Sequence, residues 1–308
     1  QKLATSFEYD RSNYDSDTSD SIHPKSDKAY LLSANGAIRN FSYSAEYEYT
    51  GLYYQVPGNY VRSDWEGYTL NSYLTLEKHS FGAMYSEYND DVEQVSIYGR
   101  TNSTEYRLDY SLNIFPSVPI TLQWMKNIEK NRISVIDNYT DTYSSSISYM
   151  KDMYSLYFTS SYSETNDRTI DDIDSSLFSS NLSGSYIKEW FSIQPSIDFN
   201  RSKDFQTHVY TDTKTGSLTV TATLLENVSI NNLGSYSRIT ANDHSVEQDY
   251  YSNDFQLTYE HPKRIWGIFS PKASLGARYY KTKDKIMDVY TEEAIVYMTL
   301  SGNFETSF

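Results

Sequence analysis

The sequence predicts an all-β chain, an antiparallel up-and-down meander of about sixteen strands, with fourteen to eighteen as the bounds. Three observations carry that expectation. Side chains alternate between apolar and polar over most of the length, the period-two signature of strands. The polar links between alternating segments are in turn long and short. Tyrosine supplies 32 of the 308 residues, and it favours half-buried pleated surfaces over helices.

In chain order, the first strand runs to a long link over 12–28, and the second closes on a two-residue link, Arg39 and Asn40. The third shows the alternation cleanly. Phe41, Tyr43, Ala45, Tyr47 and Tyr49 fall on one side, and Ser42, Ser44, Glu46, Glu48 and Thr50 on the other. A long link (56–66), a short one (77–80) and a long one (88–104) bound the next strands; Val95 and Ile97 in the last of these leave room for an extra strand. The strand that follows sets Tyr106, Leu108, Tyr110, Leu112 and Ile114 against Glu105, Arg107, Asp109, Ser111 and Asn113. Short links at 115–119, 150–153 and 187–190 then alternate with long links at 126–141, 164–174 and 200–216. Pro195 falls inside the strand from Phe191 to Phe199, where a missing N–H predicts a bulge or local break. Leu218, Val220, Ala222 and Leu224 oppose Ser217, Thr219, Thr221 and Thr223; after the short link at 225–227 and the long one at 240–250, Phe255, Leu257 and Tyr259 oppose Asp254, Gln256, Thr258 and Glu260. A short link (261–269) and a long one (281–293) complete eight long and seven short links, hence sixteen strands in a single domain over 1–308.

Long links at one end and short turns at the other are expected of a transmembrane β-barrel, with extracellular loops and both termini on the periplasmic side. No apolar run reaches the roughly 18 residues a spanning helix needs. The apolar positions must face lipid, and the hydroxyl-rich ones water. Tyr49, Tyr53, Trp65, Tyr68, Trp124, Tyr149, Tyr154, Trp190 and Trp266 lie near strand ends, as interfacial aromatic girdles require.

The closing segment alternates Ala294, Val296, Met298, Leu300, Gly302, Phe304, Thr306 and Phe308 against Thr299, Ser301, Asn303, Glu305 and Ser307. An alternating last strand ending on phenylalanine resembles the carboxyl-terminal signature of bacterial outer-membrane β-barrel proteins of porin-like type. That resemblance implies an integral outer-membrane location. It implies recognition by the barrel-assembly machinery through Phe304 and Phe308, and lipopolysaccharide and the bilayer as surroundings.

Composition excludes other classes. With no cysteine, disulfide frameworks, thiolate metal sites and cysteine nucleophiles are absent. A net charge of −15 repels phosphate backbones, so nucleic acid is not an expected partner. Five histidines and the chance neighbours Asp243, His244 and Ser245 give no catalytic constellation, so no enzyme activity, cofactor or metal site is expected. Acidic links such as that of Asp15, Asp17, Asp20 and Asp27 read as a solvated rim.

The predicted lumen is mostly neutral. Its charged candidates are Glu46, Glu48, Asp109, Asp198, Asp254 and Glu260, set against Arg107, Lys272 and Arg278. Carboxylates outnumber cations, which predicts a channel with a mildly acidic wall. Tyr73, Tyr157, Tyr280 and Tyr297 are inward aromatics able to stack on sugar rings. The sequence leaves open a barrel that serves a larger envelope complex, as a polysaccharide or protein exporter or a sheath around a partner such as a cytochrome, and it leaves open a homo-oligomer.

Overall fold

The computed structural model describes residues 2–14, 25–56, 63–93, 99–115, 117–131, 135–262 and 268–304. Sixteen strands form one antiparallel sheet, each paired with its neighbours in sequence. They are β1 (Lys2–Tyr14), β2 (Lys25–Ile38), β3 (Phe41–Thr50), β4 (Trp65–Leu76), β5 (His79–Asp90), β6 (Thr101–Phe115), β7 (Val118–Asn131), β8 (Asp137–Lys151), β9 (Tyr154–Asp167), β10 (Ser175–Lys188), β11 (Phe191–Asp204), β12 (Tyr210–Leu225), β13 (Val228–Ala241), β14 (Glu247–Glu260), β15 (Ile268–Asp284) and β16 (Val289–Phe304). Strand count and order are those the alternation predicts.

The strands overrun the sequence boundaries at the long-link end. The link expected over 200–216 narrows to 205–209, because β11 and β12 stay paired out to Lys203 and Tyr210. The turns are tight, and several use non-glycine residues in the left-handed region: Arg39 (φ 54°), Glu77 (φ 46°) and Asp152 (φ 49°) at short links, His208 (φ 58°) and His244 (φ 60°) at long ones. Pro195 pairs with Leu218 in an unbroken β11–β12 register, so the expected break does not occur on that ladder. Gly184 of β10 is its neighbour, where a Cβ would stand 3.9 Å from Pro195 Cγ, an ordinary contact. Register shifts lie instead between Thr223 and Leu225 on β12, beside the turn, and between Phe269 and Lys272 on β15. Val95, Ile97, Trp266 and Phe308 lie outside the described residues, as do Asp15, Asp17 and Asp20.

The chain divides into two compact units, one of residues 1–114, 120–145 and 162–176, the other of 115–119, 146–161 and 177–308. In the first, the register across β1–β6 sets Phe7, Leu32, Tyr47 and Tyr68 on one face, and Ser33, Glu46, Thr69, Ser86 and Glu105 on the other. In the second, Ile193, Val220, Asn232, Phe255, Ala277 and Val296 form a cross-strand row on one face; Gln194, Thr219, Leu233, Asp254 and Arg278 follow the other.

Neither face is covered by a second layer. Among the described hydrophobic residues only Tyr54 and Ala241 are buried, whereas Phe7 is 67%, Leu108 52%, Met298 67% and Leu300 70% exposed. The accessible surface is 20807 Å², against about 13,000 Å² for a soluble monomer of this mass. This sheet buries its apolar side chains in nothing of its own.

Candidate functional site

The candidate site is the polar face of the sheet. It is built largely from hydroxyl pairs between neighbouring strands. In the first unit Ser6 meets Ser33 at 2.7 Å, Thr69 meets Ser86 at 3.1 Å, Thr140 meets Thr165 at 2.9 Å and Thr142 meets Ser163 at 3.0 Å. In the second, Ser155 and Ser185, Ser161 and Ser179, Ser196 and Ser217, Ser235 and Ser252, and Thr258 and Ser274 pair at 2.6–3.0 Å. Period two puts every second residue of a strand here, and antiparallel register brings small hydroxyls directly opposite one another.

All nine lumen-lining candidates fall on this face of their own unit. In the first, Glu46 lies in register with Ser33 and Thr69, and Glu48 with Leu31 and Gly67. Arg107 and Asp109, two residues apart on β6, approach to 3.4 Å. Gln123 Nε2 also donates to Asp109 at 2.7 Å, and an Arg107 nitrogen stands 3.2 Å from the Met84 sulfur. Arg107, Asp109 and Met84 border a concavity of about 950 Å³ lined also by Asn35, Ser42, Ser44, Asn71 and Tyr73.

In the second unit the charges are matched across strands. Asp254 opposes Arg278 in register and accepts its Nε–H at 2.7 Å; Glu260 opposes Lys272, with the ammonium 2.9 Å away. Asp198 accepts from Asn181 Nδ2 at 2.6 Å. Three acid–base pairs therefore neutralise six of the nine charges. The period-two reading could not find this pairing, because it gives the face but not the register.

Aromatic rings occupy the apolar face near both strand ends. Toward the long links Tyr9, Tyr30 and Tyr49 stack across β1–β3 with centroids 5.5 and 5.4 Å apart, and Tyr85 meets Tyr106 at 5.0 Å. Toward the short links lie the pairs Phe81–Tyr110 and Tyr154–Tyr186. Trp65, expected in a girdle, lies instead on the polar face, in register with Thr50 and Asp90.

Beyond the apolar stretch, carboxylates organise the turns. Asp204 accepts the Gln206 and Thr207 N–H groups at 2.8 and 3.1 Å; Asp284 accepts those of Ile286 and Met287 at 2.9 and 3.0 Å. These bonds hold both carboxyls below the usual aspartate range. Asp64 shifts upward because it is buried. Asp243 accepts both the N–H and the hydroxyl of Ser245, at 3.0 and 2.7 Å, so the Asp243–His244–Ser245 run is a turn closure. No cluster among the described residues has metal-ligand geometry, and no helix among them is long and apolar enough to cross a membrane.

An up-and-down sheet with one uncovered apolar face and one hydroxyl face is the architecture of an outer-membrane β-barrel chain. Solved structures similar to it are outer-membrane proteins. One is OmpT, an outer membrane protein of Vibrio cholerae, at 10% identity and a TM-score of 0.44, covering 97% of this chain and 93% of that one. Others are the outer membrane channel DcaP of Acinetobacter baumannii (11%, 0.43, 98% and 97%) and a bacterial polysaccharide outer membrane secretin (10%, 0.43, 91% and 92%). No family model and no curated protein matches the sequence.

Proposed function

We propose that the chain is a single closed barrel in the bacterial outer membrane, acting as a channel for solutes through a polar, mildly acidic lumen rather than as an enzyme. The observation that carries this is the missing core. An apolar face this extensive, rimmed at both ends by aromatic rings, needs hydrocarbon against it. A hydroxyl face built from paired Ser and Thr needs water. Closure would satisfy the sheet edges at β1 and β16. Six carboxylates against three cations among the lining candidates support a slight preference for cations.

The long links would be extracellular and both termini periplasmic. The surrounding partners would be the bilayer and lipopolysaccharide, with the assembly machinery reading the last strand through Phe304 and Phe308. Lipid contact on the long-link side has a structural correlate. The row Phe199, Lys214, Arg238, Asp249 and Lys283 brings two cations directly opposite each other on the outward face, in a chain of net charge −15.

The test is single-channel conductance of the refolded chain in a planar bilayer, with a reversal potential across a salt gradient. Steady steps with a small cation-selective potential are expected. Silence from folded, inserted protein would overturn the open channel and leave a barrel filled by a partner in an envelope complex.

A further inference from the structure

Two places on the polar face share an arrangement that the channel reading does not use. In the first unit, Ser42, Tyr73, Gly82 and Asp109 lie in one cross-strand row. A Cβ on Gly82 would stand 3.2 Å from Asp109 Cβ, a tight approach that the bare glycine relieves, and 3.6 Å from Tyr73 Cδ2, so the tyrosine ring lies beside the glycine at contact distance. Tyr73 remains 46% exposed, and Asp109 is held by Arg107 and Gln123. In the second unit Tyr297 is opposite Gly276, and a Cβ on that glycine would collide with Cζ of the ring, so the ring lies over the glycine backbone. Its hydroxyl donates to Asp254 Oδ1 at 3.1 Å; the Arg278 guanidinium is 4.8 Å from the ring centroid and bonds the other carboxylate oxygen. Each unit thus sets a tyrosine opposite a glycine and beside an Arg–Asp pair.

We propose that the polar face binds uncharged saccharides, with Tyr73 as the principal platform and Tyr297 as its counterpart in the second unit. A sugar ring presents an apolar C–H face and a rim of hydroxyls. The first fits an exposed aromatic face; the second needs donors and acceptors around it. At Tyr73 these are Asn35, Ser42, Ser44, Asn71, Arg107 and Asp109, all bordering the same concavity. The wall beyond suits the same ligand. Each Ser or Thr hydroxyl both donates and accepts, so a cross-strand pair can exchange its bond for one to a sugar hydroxyl without stranding a polar group. Pairing of the three cations with carboxylates weakens the field that would favour an ionic solute. The site rests on the polar face being open to water, as the channel reading has it.

The test is calorimetric titration of maltohexaose into the full chain refolded in detergent micelles, with conductance recorded on the same preparation. Saturable binding is expected, and an acidic oligogalacturonate of equal length should bind more weakly. Tyr73→Ala should weaken maltohexaose binding roughly tenfold, and Tyr297→Ala measurably, the order of one aromatic contact. Tyr73→Phe, which keeps the ring, should bind nearly as the native chain does. Phe255→Ala, on the opposite face next to Asp254, should change nothing and report general damage if it does. Equal affinity in Tyr73→Ala, or no saturable uptake by a chain that conducts ions, overturns the saccharide site and leaves the channel standing. Binding without conductance upholds the site and overturns the open channel.

Discussion

The register of β12 gives a direct test of which face meets lipid. Val220 lies on the apolar face between Ile193 and Asn232, and Thr221 on the polar face between Ser192 and Asn231. Val220 is five residues from Leu225, the end of its strand. At about 3.3 Å per residue and a tilt of about 40°, it stands about 13 Å above the short turns, the middle of an apolar band about 25 Å tall. Arginine there should cost about 2 to 4 kcal/mol, a factor of about 30 to 900 in the folding equilibrium. Thr221→Arg places the same side chain among hydroxyls and amides facing water, where no such depth cost applies. Urea unfolding of the refolded variants in lipid vesicles should show a large fall in midpoint for Val220→Arg and a small one for Thr221→Arg. Equal losses, or the reverse order, would refute both the register and the assignment of faces.

Two further outcomes follow from the long-link end. The folded chain holds the Asp204 and Asp284 carboxyls low, so their support for the turns is complete above the ordinary aspartate value of about 3.9 and is lost as pH falls through their lower folded values. Protection factors for hydrogen exchange at Gln206, Thr207, Ile286 and Met287, corrected for the intrinsic rate, should therefore fall on acidification, and Asp204→Ala should abolish that fall at Gln206 and Thr207 only; an unchanged profile would contradict the capping role. Lys214, opposite Arg238, should favour anionic headgroups by about 1 kcal/mol per basic residue. Adding phosphatidylglycerol to the vesicles should thus raise the native unfolding midpoint more than that of Lys214→Glu, and equal gains would exclude the lipid contact.

Strand number, strand order and the division into faces were legible in the sequence because each rests on local alternation and link chemistry. The lengths were not. At the long-link end the outward positions become Arg201, Lys203, Asp212 and Lys214. The apolar signal stops there while the backbone ladder continues. Arg201 and Asp212, in register and 2.6 Å apart, are a cross-strand contact of charged side chains past that point. Pro195 misled for a different reason: a missing N–H removes one donor but does not by itself shift the register, and the β11–β12 ladder runs unbroken through it. Trp65 was assigned by its closeness to a strand end, although the face of an aromatic depends on its parity within the strand. Glu46, Glu48, Arg107, Asp109, Asp198, Asp254, Glu260, Lys272 and Arg278 could be placed on the polar face by counting in twos. That Asp254 meets Arg278 and Glu260 meets Lys272 is a fact of cross-strand register, fixed only by the link lengths together.

This pairing separates the charge of the chain from the charge of its wall. A net −15 suggests a strongly acidic passage. Yet Asp204 and Asp284 close turns at the long-link end, and Asp212, Glu247 and Asp249 sit on the outward face beside Arg201, Arg238 and Lys285. On the polar face the Arg107, Lys272 and Arg278 cations are held by carboxylates, so a passing solute meets chiefly Ser, Thr and Asn groups. Pairs exposed to water contribute little to stability, about 0 to 1 kcal/mol each. Their main effect here is electrostatic: each pair reduces the local field while keeping polar atoms on the surface. Under the proposed saccharide reading such a wall would attract ions only weakly and still bond to an uncharged, hydroxyl-bearing molecule, so the small hydroxyls that make the strands alternate cleanly would also be the groups that receive the ligand.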